Sequence, residues 1–201
     1  MIKEDFFSFI FTSGVQADLM HEQPSCRTWI DLISKELQEM KFPKGHILLN
    51  IGQTPEYIFF LYQGAASAYY LDRNGDPLTL YLWNAYSLVT DMAAYLDKRP
   101  SHLRIDICVD SKLLAIHRSA LEKIFREQPA ALHFHVALVK HFFHYHLERD
   151  IDSQSLFAEE RLSKLLLTHR MLGTQFSTKS IGSLLGISPS HMYELIKKKI
   201  I

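Results

Sequence analysis

Five histidines fall in one short stretch of this 201-residue chain: His133, His135, His141, His144 and His146. A neutral imidazole is a common metal ligand, and residues three apart share one face of a helix. His141 and His144 have that spacing. Two such pairs, one from each of two chains, would make a four-ligand site. No acid or cysteine stands at ligand spacing among them before Glu148. Half-exposed polar positions along a helix are the simpler reading, and no metal is expected. The two cysteines, Cys26 and Cys108, are isolated from each other. They cannot hold an iron–sulfur cluster or a four-ligand zinc unaided, and are expected as free thiols.

A second constellation lies near the end of the chain. From Ser177 to Lys199, apolar residues stand at Ile181, Leu184, Leu185, Ile187, Met192, Leu195 and Ile196. That pattern fits two short helices sealed against each other. Gly182 is small where they would cross, and Gly186 sits where the chain must turn with φ > 0. A helix-turn-helix of this kind presents its second helix to the major groove of DNA. Thr178, Lys179, Ser188, Pro189, Ser190, His191, Tyr193, Glu194, Lys197 and Lys198 are the side chains expected to face it. Serine can contact any base, and glutamate can accept from cytosine N4. Alternatively, Glu194 balances charge within the module and the lysines bind DNA without sequence preference.

The formal net charge is +0, yet its distribution is uneven. From Arg161 onward there are seven basic residues and one acid, Glu194, leaving Met1–Glu160 at −6. A basic terminal module on an acidic body suits a polyanionic partner. With 47% hydrophobic and 22% charged residues, the composition is that of a globular protein with a sizeable core. No apolar run nears the roughly 20 residues of a membrane helix. The start, Met1-Ile2-Lys3-Glu4-Asp5, lacks the basic region and cleavage pattern of a signal peptide. A cytoplasmic protein without membrane contact is expected.

The elements that must position these residues follow from periodicity. Trp29, Leu32, Ile33, Leu37 and Met40 recur at helical spacing, up to Pro43. From Phe42 to Ile116 short strand-like runs follow: 46–51, 57–62, 67–71, 78–82, 103–109 and 113–116. Gly45, Gly52, Gly64 and Asn74-Gly75 punctuate them, and Asn-Gly predicts a type I′ hairpin. Such spacing argues an antiparallel sandwich or barrel. A helix near Ser119 carries Leu121, Ile124 and Phe125. A longer one from Ala130 to about Arg149 has two apolar stripes, Leu132, Val136, Val139 and Phe143, and Phe134, Leu138, Phe142 and Tyr145. A helix apolar on two sides packs between two bodies, here a barrel and a second copy of itself. A further helix runs from Ala158 to Met171, with Gly173 ending it.

In this order, a glycine-punctuated barrel, a long helix and a terminal helix-turn-helix resemble the Crp/Fnr family of bacterial transcription regulators. The resemblance spans nearly the whole chain. It rests on Phe42–Gly52, Tyr57–Gly64 and Asp110–Ile116 in the barrel and on Ile181–Ser188 at the end. The fold it implies is α+β: an N-terminal antiparallel β jelly roll (1–128), a dimerisation helix (129–150) and a small helical DNA-binding domain (151–201) lacking a full wing. The partners it implies are double-stranded DNA, a second copy of the chain, an unknown small-molecule effector and, as a further candidate, RNA polymerase.

The chain departs from the family's pattern in two places. Cyclic-nucleotide-binding members carry Gly-Glu and, about ten residues on, Arg-Ser-Ala or Arg-Thr-Ala. The matching effector-pocket positions here are Thr90, Asp91, Arg99 and Ser101, with Pro100 supplying no backbone donor. A cyclic nucleotide, another small ligand and an unliganded scaffold all stay open, and no cofactor is expected. The recognition helix carries Pro189, Ser190 and Glu194 where base-reading Arg, Glu and Arg are familiar. The chain stops at Ile201 with no β-hairpin wing, which predicts weaker, salt-sensitive DNA binding or reliance on the dimer.

The sequence shows no nucleophile elbow, phosphate loop or carboxylate pair with a base, so an enzyme is not expected. The alternative function is a ligand- or metal-binding cupin-like sensor or enzyme, using its helical tail for protein contacts. His133-Phe134-His135 echoes the His-x-His of cupins, but in a helical stretch.

Overall fold

The computed structural model describes residues 2–11, 24–168 and 171–197. Helices α1 (Ile2–Phe11) and α2 (Pro24–Glu36) precede six strands: β1 (Gln38–Phe42), β2 (Ile47–Leu49), β3 (Tyr57–Leu71), β4 (Pro77–Asn84), β5 (Ser87–Val89) and β6 (Arg104–His117). A short helix α3 (Met92–Asp97) lies between β5 and β6. Then come α4 (Arg118–Glu127), a 3₁₀ turn (Pro129–Ala131), the long α5 (Leu132–Ser155), α6 (Ala158–Thr168), α7 (Leu172–Gln175), α8 (Thr178–Leu185) and α9 (Pro189–Lys197). The fold class is α+β, as the sequence indicates. Every strand pairing is antiparallel, in the order β1-β6-β3-β4 with β2 on β6 and β5 on β3.

The sheet differs from the sequence reading in one instructive way. The runs 57–62 and 67–71 are not two strands joined at Gly64 but one strand of 15 residues. Gly64 sits at φ 111° inside a bulge against β6, where the register steps from Leu61↔Leu113 to Gln63↔Lys112 to Ala65↔Val109. A bulge adds one residue, and one residue reverses which side chains face which side. Before it, Phe59 and Leu61 point into the barrel while Ile58 and Phe60 point to the N-terminal helices. After it, Ala66 and Ala68 point inward and Ala65 points out. The likewise continuous β6 keeps Ile105 and Ile107 inward on one side of the irregular stretch and Leu113 and Ala115 inward on the other. Without the bulge, half of β3 would turn its apolar set to the wrong face.

Three apolar cores result. One lies between the sheet and α1, α2, α4 and α5, around Phe6, Trp29, Phe60 and Phe134. The second fills the barrel, where Tyr81 and Trp83 stack at 4.8 Å and 5° opposite Ala68 and Ala66, whose small side chains leave the rings room. The third joins the outer face of β3 and β4 to α6–α9.

Four local expectations change. Residues Gln38–Phe42 are strand rather than the end of a helix, because they pair with Ser111–Ala115 of β6. Asn74-Gly75 does not form a type I′ turn, since Asn74 lacks a positive φ. Instead Asp72 closes the loop, its carboxylate accepting from the N–H groups of Asn74 and Asp76, both at 2.8 Å. Helix α5 runs on to Ser155, with Ser153 and Ser155 donating back to the carbonyls of Asp150 and Ile151. Gly173 lies within the short helix α7 rather than ending a longer one.

A Cβ at Gly64 would stand 2.0 Å from Ser111 Oγ and 2.7 Å from Ser111 Cα. Backbone strain and overpacking then act together, so Gly64→Ala is expected to cost roughly 3 kcal/mol in urea unfolding. A change below about 0.5 kcal/mol would contradict the bulge geometry.

Candidate functional site

The two terminal helices form as the sequence spacing requires. The Ser177 hydroxyl accepts from the Ser180 N–H at 3.1 Å and caps α8. Gly186, at φ 64°, ends α8 in the left-handed region. A Cβ on Gly182 would meet the Ile187 carbonyl at 3.3 Å and Met192 just beyond, so the helices cross there. Ser188 caps α9 through the His191 N–H at 3.2 Å, with Pro189 in the first turn. Ile181, Ile187, Met192 and Leu195 are buried between the helices. Thr178, Lys179, Ser188, Pro189, Ser190, His191, Tyr193, Glu194 and Lys197 are all exposed. Tyr193 is 59% exposed, and Lys197 Nζ sits 4.8 Å from its ring centroid. Lys198 lies outside the described residues.

This helix pair does not hang free of the barrel. Ser183 Oγ accepts from the Thr79 N–H of β4 at 2.8 Å. Leu82 and Ala65 of the sheet are buried with Leu162, Leu172, Phe176 and Ile181 of the terminal helices. Cys108 and Val109 pack at the edge of the same cluster. Arg161 of α6 donates to the Leu156 and Leu185 carbonyls at 2.7 and 3.0 Å, and Lys164 pairs with Asp152 at 2.7 Å. Sequence reasoning missed Thr79, Leu82 and Ser183, since an alternating strand gives no sign of which body covers its outer face.

Strand β4 engages the long helix with its other side. The Tyr81 hydroxyl and His146 Nε2 are 2.6 Å apart. Tyr145 packs on the barrel core, and Arg149 donates to the Leu80 carbonyl and lies near the Tyr81 ring. Burial raises the pKa of both tyrosines above the ordinary phenol value. Of the two apolar stripes on α5, Phe134, Leu138 and Phe142 are buried and Tyr145 half-buried against the protein itself. In the other, Leu132, Val136 and Phe143 are exposed, with Phe143 at 64%, and Val139 is half-buried. Leu147 and Ile151 continue that exposed stripe.

The histidines of α5 are dispersed. His146 meets Tyr81, the His141 ring stands 4.6 Å from Phe9, and the His135 ring 5.5 Å from Phe125. Among the described residues, no group of three or more His, Cys, Asp or Glu side chains is arranged to hold a metal ion.

At the effector-pocket positions, Asp91 caps α3. Its carboxylate accepts from the Ala94 N–H at 3.1 Å and from the Ser101 hydroxyl at 2.7 Å. Ser101 is buried and also accepts from the Leu103 N–H. Thr90, also buried, donates to the Tyr57 carbonyl at 3.1 Å. Arg99 turns outward to Asp97 at 3.2 Å. The structure therefore joins Asp91 to Ser101 and leaves Arg99 apart. The N-terminus of α3 is thus capped by the chain's own carboxylate.

Residues 39–128 match the model of the cyclic nucleotide-binding domain. Over most of its length the chain shares its fold with solved structures of regulators. FixK2 of Bradyrhizobium japonicum is 18% identical, with a TM-score of 0.65 over 81% of this chain and 83% of that one. The c-di-GMP-responsive global regulator CLP of Xanthomonas campestris is 14% identical, with a TM-score of 0.64 over 86% and 91%. The catabolite activator protein of Thermus thermophilus is 21% identical, with a TM-score of 0.51 over 88% and 83%. Comparison with curated protein sequences returns no match. Among the described residues, no helix is long and apolar enough to cross a membrane.

Burial holds His135, His141 and His146 below the ordinary histidine pKa, with His144 adding to the effect at His141 and Arg149 at His146. A folded pKa below the unfolded value of about 6.5 means that the unfolded chain binds more protons just below that pH. These groups therefore favour folding above pH 6.5, and the benefit is lost as pH falls through that value. Urea midpoints are expected to drop between neutral and mildly acidic pH, and His141→Leu to flatten the drop. An unchanged slope in the variant would show that His141 titrates alike in both states.

Proposed function

We propose that this protein is a homodimeric, DNA-binding transcription regulator in which the cyclic nucleotide-binding domain holds the helix-turn-helix in place without binding a cyclic nucleotide. One observation carries the reading. The α8–α9 pair buries its apolar side on its own sheet and leaves a polar, cationic face outward. On α9, Ser190, Glu194 and Lys197 recur at helical spacing on that face, as a helix entering the major groove requires. The basic excess from Arg161 onward suits the phosphate backbone. Regulators of the same fold, none of them read as enzymes, support the class.

The exposed stripe of α5 supports the dimer. Its large apolar side chains have no partner within the described chain, and a second α5 along a two-fold axis would cover both stripes at once. That arrangement would present two recognition helices to successive turns of DNA. The ligand reading follows from the barrel. Asp91 occupies the anion position, Arg99 is engaged elsewhere, and Tyr81 and Trp83 fill the interior.

Fluorescence anisotropy with a duplex selected from a random pool tests the DNA-binding proposal. Triple replacement of Lys197, Lys198 and Lys199 by Ala is expected to weaken binding by about tenfold or more at physiological salt and to lower the salt slope. No selected duplex bound better than bulk DNA would defeat the specific part. Sedimentation tests the dimer: Phe143→Glu is expected to give monomers that lose specific binding. Saturable binding of cyclic AMP in calorimetry would overturn the ligand reading.

A further inference from the structure

Strand β4 ends the strand order of the sheet, and two helices hold adjacent residues of it. The Thr79 N–H donates to Ser183 of α8, and the Leu80 carbonyl accepts from Arg149 of α5. The next residue, Tyr81, is 7% exposed, with its ring stacked on Trp83 and its hydroxyl 2.6 Å from His146 Nε2. Among the described residues, His146 is the hydrogen-bond partner of that hydroxyl. Arg149 follows His146 by three residues on the same side of α5, and its guanidinium carbon lies 5.9 Å from the Tyr81 ring centroid. His146 itself is exposed, so solvent reaches the ring that Tyr81 touches.

We propose that the Tyr81–His146 pair is an acid-sensitive latch: a proton on His146 loosens α5 from β4 and, through the neighbouring Thr79, shifts the seat of the helix-turn-helix. Hydrogen-bond roles give the direction. Burial keeps Tyr81 in its phenol form, well above the ordinary pKa. A phenol has one proton to donate, and a neutral Nε2 accepts it. A protonated imidazole carries N–H on both nitrogens and accepts nothing. The phenol proton then loses its acceptor in a buried, aromatic setting. Charge works in the same direction. The groups that face the pair are Asp91, which acts on Tyr81 from the barrel, and Tyr145, Arg149 and Asp150 of α5. Arg149 opposes a second cation beside it, and Asp150 offsets part of that repulsion. Burial first, and then Arg149, hold His146 below the ordinary histidine range. The latch is therefore closed at neutral pH and opens below about pH 6.5. Its release reaches α8 because Thr79, Leu80 and Tyr81 are consecutive residues of one strand, each held by a different helical side chain.

The latch stands or falls independently of DNA binding, because the test uses the full chain without DNA. Amide hydrogen exchange, corrected for its intrinsic pH dependence, is followed in β4, α8 and β6. Between neutral pH and about pH 5.5, exchange in β4 and α8 is expected to rise about fivefold more than in β6. His146→Gln keeps a side-chain carbonyl that can accept from Tyr81 and takes up no proton, and its exposed site needs no repacking. That variant is expected to show no excess of β4 and α8 exchange over β6 across the same range. Asp150→Asn, also exposed, removes the charge that favours a protonated His146, and is expected to move the transition to lower pH. Equal rises in β4, α8 and β6 of the native chain would overturn the latch, since they mark general acid unfolding. So would an excess that survives His146→Gln, or an Asp150→Asn transition at the native pH.

Discussion

The bulge at Gly64 sets which side chains of the longest strand look inward, and all three apolar cores depend on that choice. Strand β3 must face the N-terminal helices along its first half and the terminal helix pair along its second, while lining the barrel throughout. Strict alternation cannot serve an interior whose apolar residues sit at odd positions before residue 62 and at even positions after 65. One extra residue corrects the parity. Glycine is required because its φ of 111° and the 2.0 Å approach of Ser111 leave no room for a side chain. Ser111 then fills the gap in the ladder, accepting from the Ala65 N–H and donating to the Val109 carbonyl.

Downstream of that correction, β4 becomes a strand with two employments. Tyr81 and Trp83 face the barrel interior, and Tyr81 reaches the long helix through His146. Leu82 faces the other way, under the terminal helices, and the Thr79 backbone holds Ser183. Residues one apart on a strand point to opposite sides, so a single strand touches the barrel filling, α5 and the helix pair. A displacement of Tyr81 therefore cannot leave the other two contacts as they are. The α8–α9 face outward to solvent is fixed by what its inner face packs on.

The same economy of contacts holds at the end of the barrel, where Asp91 caps α3. Asp91 supplies the negative group that the N-terminus of α3 calls for, and Ser101 steadies it from ten residues away. The carboxylate is covalently part of the chain, so it meets the helix N–H groups with no loss of translational freedom. Apolar contacts among β-strand side chains hold the barrel itself.

Much of the architecture was legible in the chain. Helical spacing of Ile181, Leu184, Met192 and Leu195, with glycine at 182 and 186, specified the helix pair, because both glycines answer local steric demands. Of the two apolar stripes of α5, one is buried against the protein itself and the other is exposed. The course of β3 and β6 was less legible: glycine at 64 marks a break equally well as a turn or as a bulge, and only pairing with Ser111 selects the bulge. Strand β1 was hidden for a similar reason, since Gln38–Phe42 is strand only through its pairing with β6. By itself, the sequence determined the order of elements, the polar face of α9 and the identity of the groups at Thr90, Asp91, Arg99 and Ser101. Tertiary structure alone decided that Asp91 turns inward to its own helix, that Arg99 does not join it, and that Thr79 and Ser183, 104 residues apart, meet. Local propensity acts over a few residues, whereas these choices depend on which distant surface excludes water from which face.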